Sequence, residues 1–507
     1  MSVDSTITAA RREQVRRPRR TVRAFGATLS AVALAGAALV ATAFSGAPAE
    51  AAQTGVTQIS SDPFAADSAP VAAHATQVEP DTFAHGSTIV SAFQTGRVFN
   101  GGASDIGWAT SLNGGVSWTH GFLPATTAAS SPAGPNFSVS DASVAYDARD
   151  GVWLISFLAL HSSGGGAVDV MVSRSADGGL TWSAPLPVAA NGISYDKNWT
   201  VCDNHPSSPH YGNCYTEFDN TQSRDLEQMS TSTDGGLTWG APQATADSVH
   251  GLGGQPVVQP NGRVIVPFEA LGGQIRSFSS EDGGATWDAS VLVSAISSHR
   301  VPGLRTSPLP SAEINADGTV YITWQDSRFE NGTANDIVYS TSADGITWSP
   351  VTRIPIDPVG SGTDHFIPGL AVNPATSGAH TQLALTYYFD TDPSCSGSTC
   401  SIQAGFVTSA DNGATWSSPV VLSKPMQLGW LAPTNQGVMV GDYISTSFLA
   451  GEQRVIGVFA GASAPGTDGM FNERMFAALE YVRPGTIKAA STPAVSTGDA
   501  NTVDTAN

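Results

Sequence analysis

Basic residues are scarce in this chain, and the few present are badly distributed. There are 23 Lys+Arg against 43 Asp+Glu, a formal net charge of −20. Seven of the arginines (Arg11, Arg12, Arg16, Arg17, Arg19, Arg20 and Arg23) fall within the first 23 positions. Beyond residue 52 the chain keeps 16 basic and 40 acidic residues, which excludes a basic groove for nucleic acid. Such acidity instead keeps an exported protein soluble. Cysteine is nearly absent as well. Only Cys202, Cys214, Cys395 and Cys400 occur, and no CxxC spacing points to zinc. Each pair is close in sequence, so in an exported chain Cys202 with Cys214 and Cys395 with Cys400 read as two local disulfide staples. No Ca²⁺ loop of defined ligand spacing is present, so no cofactor is expected, although the abundance of Asp leaves Ca²⁺ permitted. A helical period is also missing from the body of the chain.

Long apolar runs are limited to one, Ala24–Phe44, which follows the arginines and precedes Ala47 and Ala49. Charged, apolar and small residues in that order make residues 1–52 a cleavable secretory signal, leaving no stable membrane span in the mature protein. Arg19-Arg20 allows twin-arginine as well as general export. At the other end, residues 484–507 hold almost no large apolar side chain and are expected to be a disordered tail. Oligomeric state leaves no mark in the sequence.

What the chain does have is repetition. SLNGGVSW (Ser111–Trp118), SADGGLTW (Ser175–Trp182), STDGGLTW (Ser232–Trp239), SEDGGATW (Ser280–Trp287), SADGITW (Ser342–Trp348) and SADNGATW (Ser409–Trp416) share one pattern. Their tryptophans lie 64, 57, 48, 61 and 68 residues apart, which suits one four-stranded sheet per period. Within each box the Asp can accept backbone N–H bonds, Gly supplies positive φ, and the Trp can fold back between sheets. Such residues are scaffold. Strand-like runs surround every box, and after the sixth box GDYISTSF, RVIGVFAGA and MFAALEYV make three more strands, with Gly55–Ser60 a candidate fourth. The reading is an all-β propeller over residues 53–483 with seven blades, six being the alternative.

Three further segments resemble the sialidase (neuraminidase) superfamily of Asp-box propellers. HGLGGQPVVQPNGRVIVPF (His250–Phe268) is similar to the family's Gly-rich strand followed by "nGRLvvP". EINADGTVYITWQDSR (Glu313–Arg328) resembles "vEL-dG-lllnsR", and GDYISTSF (Gly441–Phe448) resembles "gYSsL". The resemblance spans roughly residues 79 to 482. It implies an exo-acting glycoside hydrolase in which a tyrosine, here Tyr443, attacks in place of a carboxylate that an acidic sugar would repel. Glu313 would be its base and Arg328 one arm of an arginine clamp on the substrate carboxylate. Asp105, in GRVFNGGASDI, is the one candidate for the family's acid/base Asp.

The departures are as informative. Where the family opens with Phe/Tyr-Arg-Ile-Pro, this chain has VEPDTF (Val78–Phe83), with Glu79 and Asp81 instead of an arginine; its only R-I-P, Arg353–Pro355, follows the fifth box. TYYFDTDP (Thr386–Pro393) lacks another family arginine. Internal comparison aligns AFQTGRVFNGGASDIGWATS with TWQDSRFENGTANDIVYSTS, matching Arg97 to Arg328 as substrate-facing arginines. Arg305, Asp196, Lys197 and Trp199 join them as candidate ligand contacts, the run DKNWTVCD combining charge with an aromatic as carbohydrate sites do. Two functions follow: a secreted hydrolase of terminal acidic sugars, or a non-catalytic propeller that binds a glycan, glycoconjugate or protein through the same face.

Overall fold

A computed structural model of the chain describes residues 55–64, 72–163, 166–392, 394–395, 397–449 and 451–491. The proposed signal, residues 1–52, and most of the expected tail lie outside them. Among the described residues there are strands and short 3-10 turns but no α-helix, and no helix is long and apolar enough to cross a membrane. The chain is all-β. Its strands form antiparallel up-and-down units. The first consists of Ala72–His85, Thr88–Val98, Ala103–Ser111 and Thr119–Phe122, in that order across the sheet. Similar units follow over residues 138–189, 195–244, 251–295, 311–353 and 364–421. A seventh is built from Ser445–Phe448, Arg454–Ala462 and Glu473–Tyr481. Val56–Gln58 completes it by pairing with Glu473–Tyr481, the pairing expected of Gly55–Ser60.

Each box is a locked turn. In the fourth, Asp282 accepts from the Thr286 amide at 2.9 Å and from its hydroxyl at 2.7 Å, while the Ser280 hydroxyl accepts from the Gly284 amide at 3.0 Å. Gly284 has φ of 81°, and a Cβ there would stand 2.3 Å from Thr231 Oγ1 of the preceding sheet, so only glycine fits. Asn113 of the first box keeps the turn by a change of role: its Oδ1 accepts from the Ser117 amide at 2.9 Å and its Nδ2 donates to the Ser117 hydroxyl at 2.8 Å. The fifth box drops one residue and still closes, Asp344 accepting from the Ile346 and Thr347 amides at 2.9 and 2.7 Å.

The six box tryptophans go to six different cores. Trp182 packs on the core between the first and second units, Trp239 between the second and third, and Trp287 between the third and fourth. Trp348 and Trp416 serve the next two, and Trp118 packs where the sixth, seventh and first units meet. Apolar burial between neighbouring sheets is therefore the main adhesive, with each indole closing one seam.

Along the innermost strands a second device recurs. In Ala72–His85, Ser138–Asp147, Tyr195–Cys202 and Asp364–Val372 the register breaks at a bulge, with a second break in the first strand between Ala73 and Gln77. The bulge residues Glu79, Asp141, Lys197 and Ile367 have φ of 55°, 50°, 52° and 51°, a conformation that costs a non-glycine residue about 1 kcal/mol or more. A bulge frees backbone groups from the ladder, and the adjoining sheet satisfies them. Asp81 Oδ2 accepts from the Val144 amide at 2.7 Å, Ser143 Oγ from Thr200 at 3.0 Å, Gln255 Oε1 from Ala312 at 3.0 Å and Ser311 Oγ from Leu370 at 3.1 Å. Thr446 Oγ1 donates to the Gly369 carbonyl at 2.8 Å, and Ser445 Oγ accepts from the Thr82 amide at 3.0 Å. The Glu217 carboxyl lies against Gly254, where a Cβ would stand 2.7 Å from it.

Two expectations about loops and ends meet the structure here. Both disulfides are present as paired from the sequence, Cys202–Cys214 joining register partners on adjacent strands. The tail expected from residue 484 is a correction: Ile487–Lys488 pairs with Thr415–Trp416, and Ala490–Ser491 pairs with Thr352–Arg353. Backbone hydrogen bonds hold this segment although it brings little apolar surface of its own.

Ser143→Ala leaves the buried Thr200 amide without its acceptor and is expected to lower stability by about 1–3 kcal/mol, read as a shift of the denaturant midpoint at unchanged slope. An unmoved midpoint contradicts the bridging role.

Candidate functional site

The inner-strand bulges decide where the charges go. Because their backbones are left-handed, Glu79, Asp141 and Lys197 turn off the sheet surfaces toward one another, and all three are buried. Lys197 Nζ lies 3.2 Å from Asp141 Oδ2 and 2.5 Å from Asp442 Oδ2. Arg305 approaches the same Asp442 with two nitrogens, Nε at 2.8 Å from Oδ1 and Nη2 against Oδ2. Asp442 in turn donates its backbone N–H to Glu79 Oε1 at 3.0 Å, and Gln94 Nε2 donates to the other Glu79 oxygen. Arg97 is buried at the edge of the group, its Nη1 donating to the Val98 and Gly102 carbonyls and its Nε standing 3.2 Å from Met439 Sδ. Asp196, half-buried, adds a fourth carboxylate.

The electrostatics follow from burial and pairing. Desolvation opposes the ionised form of Asp442, but the Lys197 and Arg305 charges outweigh it and hold the carboxyl well below its ordinary range. Glu79 moves the other way, to about 7, through burial and the neighbouring Asp141 and Asp442 charges. Burial opposes protonation of Lys197, and the charges of Asp141 and Asp442 more than compensate, so its ammonium persists.

Tyr443 stands beside this group. Its hydroxyl donates to the Ala142 carbonyl at 3.2 Å, and its ring meets Trp199 edge-on at 5.2 Å between centroids. Burial and then the surrounding carboxylates, Asp141 foremost, push its phenol well above the usual range. The cavity bounded by Lys197, Trp199, Gly254, Gln255, Leu309 and Tyr443 measures ≈ 10 Å³, about the space of one water.

Five of the nine residues expected at the site from sequence therefore gather with Tyr443: Arg97, Asp196, Lys197, Trp199 and Arg305. Asp105 and Arg328 are bonded elsewhere, and Glu313 lies within reach of the Asp81 charge without bonding the Tyr443 hydroxyl. Glu313 is half-buried on Ser311–Ile314 and pushed to about 8 by burial and the Asp81 charge, while the hydroxyl of Tyr443 bonds a backbone carbonyl instead of this carboxyl. Asp105 is buried within the first unit, where its Oδ1 accepts from the Ile106 amide at 2.8 Å and the Thr126 hydroxyl at 2.5 Å. Arg328 is captured by Asp326 two positions earlier, Nε–Oδ1 2.8 Å and Nη2–Oδ2 2.7 Å, and also donates to Ser294 Oγ at 3.0 Å. The residue that sequence reasoning passed over is Asp442. It stands directly before Tyr443 in GDYISTSF, and an acidic residue beside a candidate nucleophile was the available signal.

Residues 157–372 match the model of the BNR repeat-like domain. The middle of the chain thus carries a BNR repeat-like domain. The match covers the second to fifth boxes, whose turns are described above. No curated protein matches. Among solved structures, this BNR-repeat chain is similar to a protein of unknown function from Dyadobacter fermentans DSM 18053, at 15% identity over 85% of this chain and 100% of that one, TM-score 0.43. It is also similar to the Hadza microbial sialidase Hz136, at 14% identity over 77% of this chain and 73% of that one, TM-score 0.42. A Trypanosoma rangeli sialidase in complex with the inhibitor DANA is similar at 12% identity and TM-score 0.43; the BNR-repeat chain spans 53% of its length, through 62% of its own.

Burial is the largest cause that raises several buried or half-buried carboxyls: Asp81 and Glu269 to about 7 and Asp105 to about 8, beside Glu79 and Glu313, which neighbouring carboxylates raise further. Each has a folded value above its unfolded one, so the folded state holds more protons between about pH 4 and 8 and stability falls as pH rises through that window. The box aspartates, held low by hydrogen bonds that outweigh desolvation, as Asp177 at about 2, stay ionised throughout it. The melting temperature is expected to be higher at pH 5.5 than at pH 8.5. A higher value at pH 8.5 contradicts the assignment.

Proposed function

We propose that the seven units are the blades of a closed propeller, and that the chain is an exported, non-hydrolytic binding protein whose centre is locked against acidic sugars. Closure is supported by the inter-sheet bonds, which run from the first unit through the sixth and return from the seventh through Ser445 to Thr82. The observation that carries the functional reading is Asp442 in the grip of Arg305 and Lys197. A two-point guanidinium contact is the geometry with which an arginine takes a ligand carboxylate. Here a side chain of the chain itself fills it. Counting the group as a whole, Arg97, Lys197 and Arg305 face Glu79, Asp141, Asp196 and Asp442, so no surplus positive charge remains to attract an anion.

Covalent catalysis by tyrosine needs a base to take the phenolic proton. Tyr443 has a carbonyl as its acceptor and a phenol raised by burial and carboxylates, which makes it a donor and a packing partner of Trp199. The cavity beside it holds about one water. The hydrolase reading retains one support, that Tyr443, Arg97 and Arg305 do converge on one region. On the binding reading the partner is a glycan or glycoconjugate outside the cell, and the disulfides suit that compartment.

Incubated with a fluorogenic sialoside, the purified chain is expected to release no fluorophore above the buffer rate. Turnover that Tyr443→Phe abolishes would overturn the proposal.

A further inference from the structure

A larger cavity opens away from the charged centre, between the fifth and sixth units, at the end of the sheets where the boxes lie. It measures ≈ 360 Å³, within the range of small-ligand sites. Its floor is Tyr321 and Asn315, its walls are Tyr339, Thr319 and Thr341, and Asn412 of the sixth box stands at the rim. None of the described residues that line it carries a formal charge, in a chain of net charge −20. The nearest charges are carboxylates already engaged outside it: Asp317 accepts from the Gly378 amide at 2.9 Å, and Asp411 accepts from Thr415.

The lining is also held in place before any ligand arrives. Asn315 Oδ1 accepts from the Asp317 and Thr319 amides at 3.0 and 2.9 Å, and its Nδ2 donates to Thr381 Oγ1 at 3.0 Å. Tyr321 Oη donates to Asn412 Oδ1 at 2.5 Å, and Ser349 Oγ accepts from the Thr341 amide at 2.9 Å. Preformed polar groups bind without the cost of ordering them. Two phenol rings, side-chain amides and threonine hydroxyls in one uncharged hollow are suited to a ligand that has apolar C–H faces and several hydroxyls. Flanking carboxylates disfavour an anion there.

We propose that this cavity is a binding site for a neutral hexopyranose, taken as the terminal unit of an uncharged glycan. The proposal rests on the binding role put forward above only in naming its ligand; it uses none of the residues of the charged centre.

The test is saturation-transfer NMR and calorimetry on the full chain with galactose, glucose, mannose and N-acetylglucosamine, and with sialic acid as the anionic control. At least one neutral hexose is expected to bind with Kd on the order of 1 mM, the range for a ligand of this size. Thr341→Trp, which fills the hollow from a half-exposed wall, is expected to weaken that binding at least about tenfold (about 1.4 kcal/mol) at unchanged melting temperature. Should Thr341→Trp fail to fold, Thr319→Trp fills the same space from the other wall. The proposal is overturned if no neutral hexose binds, if binding survives the folded Trp variant, or if sialic acid binds equally well. Sialoside turnover by the wild type would remove the non-hydrolytic reading and leave this site standing, so the two failures are separable.

Discussion

Side-chain acceptors that reach from one inner strand to the backbone of the next are the constraint on which this architecture depends. A bulge is needed to turn Glu79, Asp141 and Lys197 off their sheets, and every bulge withdraws backbone groups from the ladder. Left unpaired in a buried strand, each would cost about 1–3 kcal/mol. Asp81, Ser143, Gln255, Ser311 and Ser445 supply the missing acceptors from the adjacent unit. The strain that positions the central charges is thus sustained by the same contacts that join the sheets. Apolar seams closed by the box tryptophans provide the bulk of the adhesion around them.

That coupling gives VEPDTF (Val78–Phe83) its place in the centre. Asp81 bonds the Val144 amide and joins the first unit to the second. Glu79 accepts the Asp442 amide and so fixes the loop that brings the Asp442 carboxylate onto Arg305 and Lys197. The acidic pair is therefore part of the central group, in which the Asp442 carboxylate engages both Arg305 and Lys197. Burying the charges of this centre is tolerable because Lys197 and Arg305 face Asp141 and Asp442, and Glu79 accepts from the Asp442 amide and Gln94. The function proposed for the protein follows from this internal pairing.

Legibility in the sequence tracked locality. The boxes are contiguous, and their Asp, Gly and Trp act within a single turn and its seam, so the repeat, the all-β class and both disulfides could be read directly. Even the return of Val56–Gln58 to the last sheet followed from counting strands. The centre depends on residues hundreds of positions apart, and on left-handed backbone at Glu79, Asp141 and Lys197 that no glycine or asparagine announces. Family spacing suggested Arg328 and Glu313, but Asp326 and the bond of Tyr443 to Ala142 are local details that spacing does not encode. Arg305, Lys197 and Trp199 were recognisable as polar or aromatic residues near strand ends; their convergence on Asp442 was not.

Native-state hydrogen exchange, followed by mass spectrometry on peptides that resolve the amides of Thr82, Val144, Thr200, Ala312 and Leu370, tests the bridged inner strands most directly. These five hydrogens, bonded to side chains of the neighbouring units, are expected among the slowest to exchange, opening only with global unfolding. Rapid exchange at these amides, while the outer strands stay protected, would contradict the account.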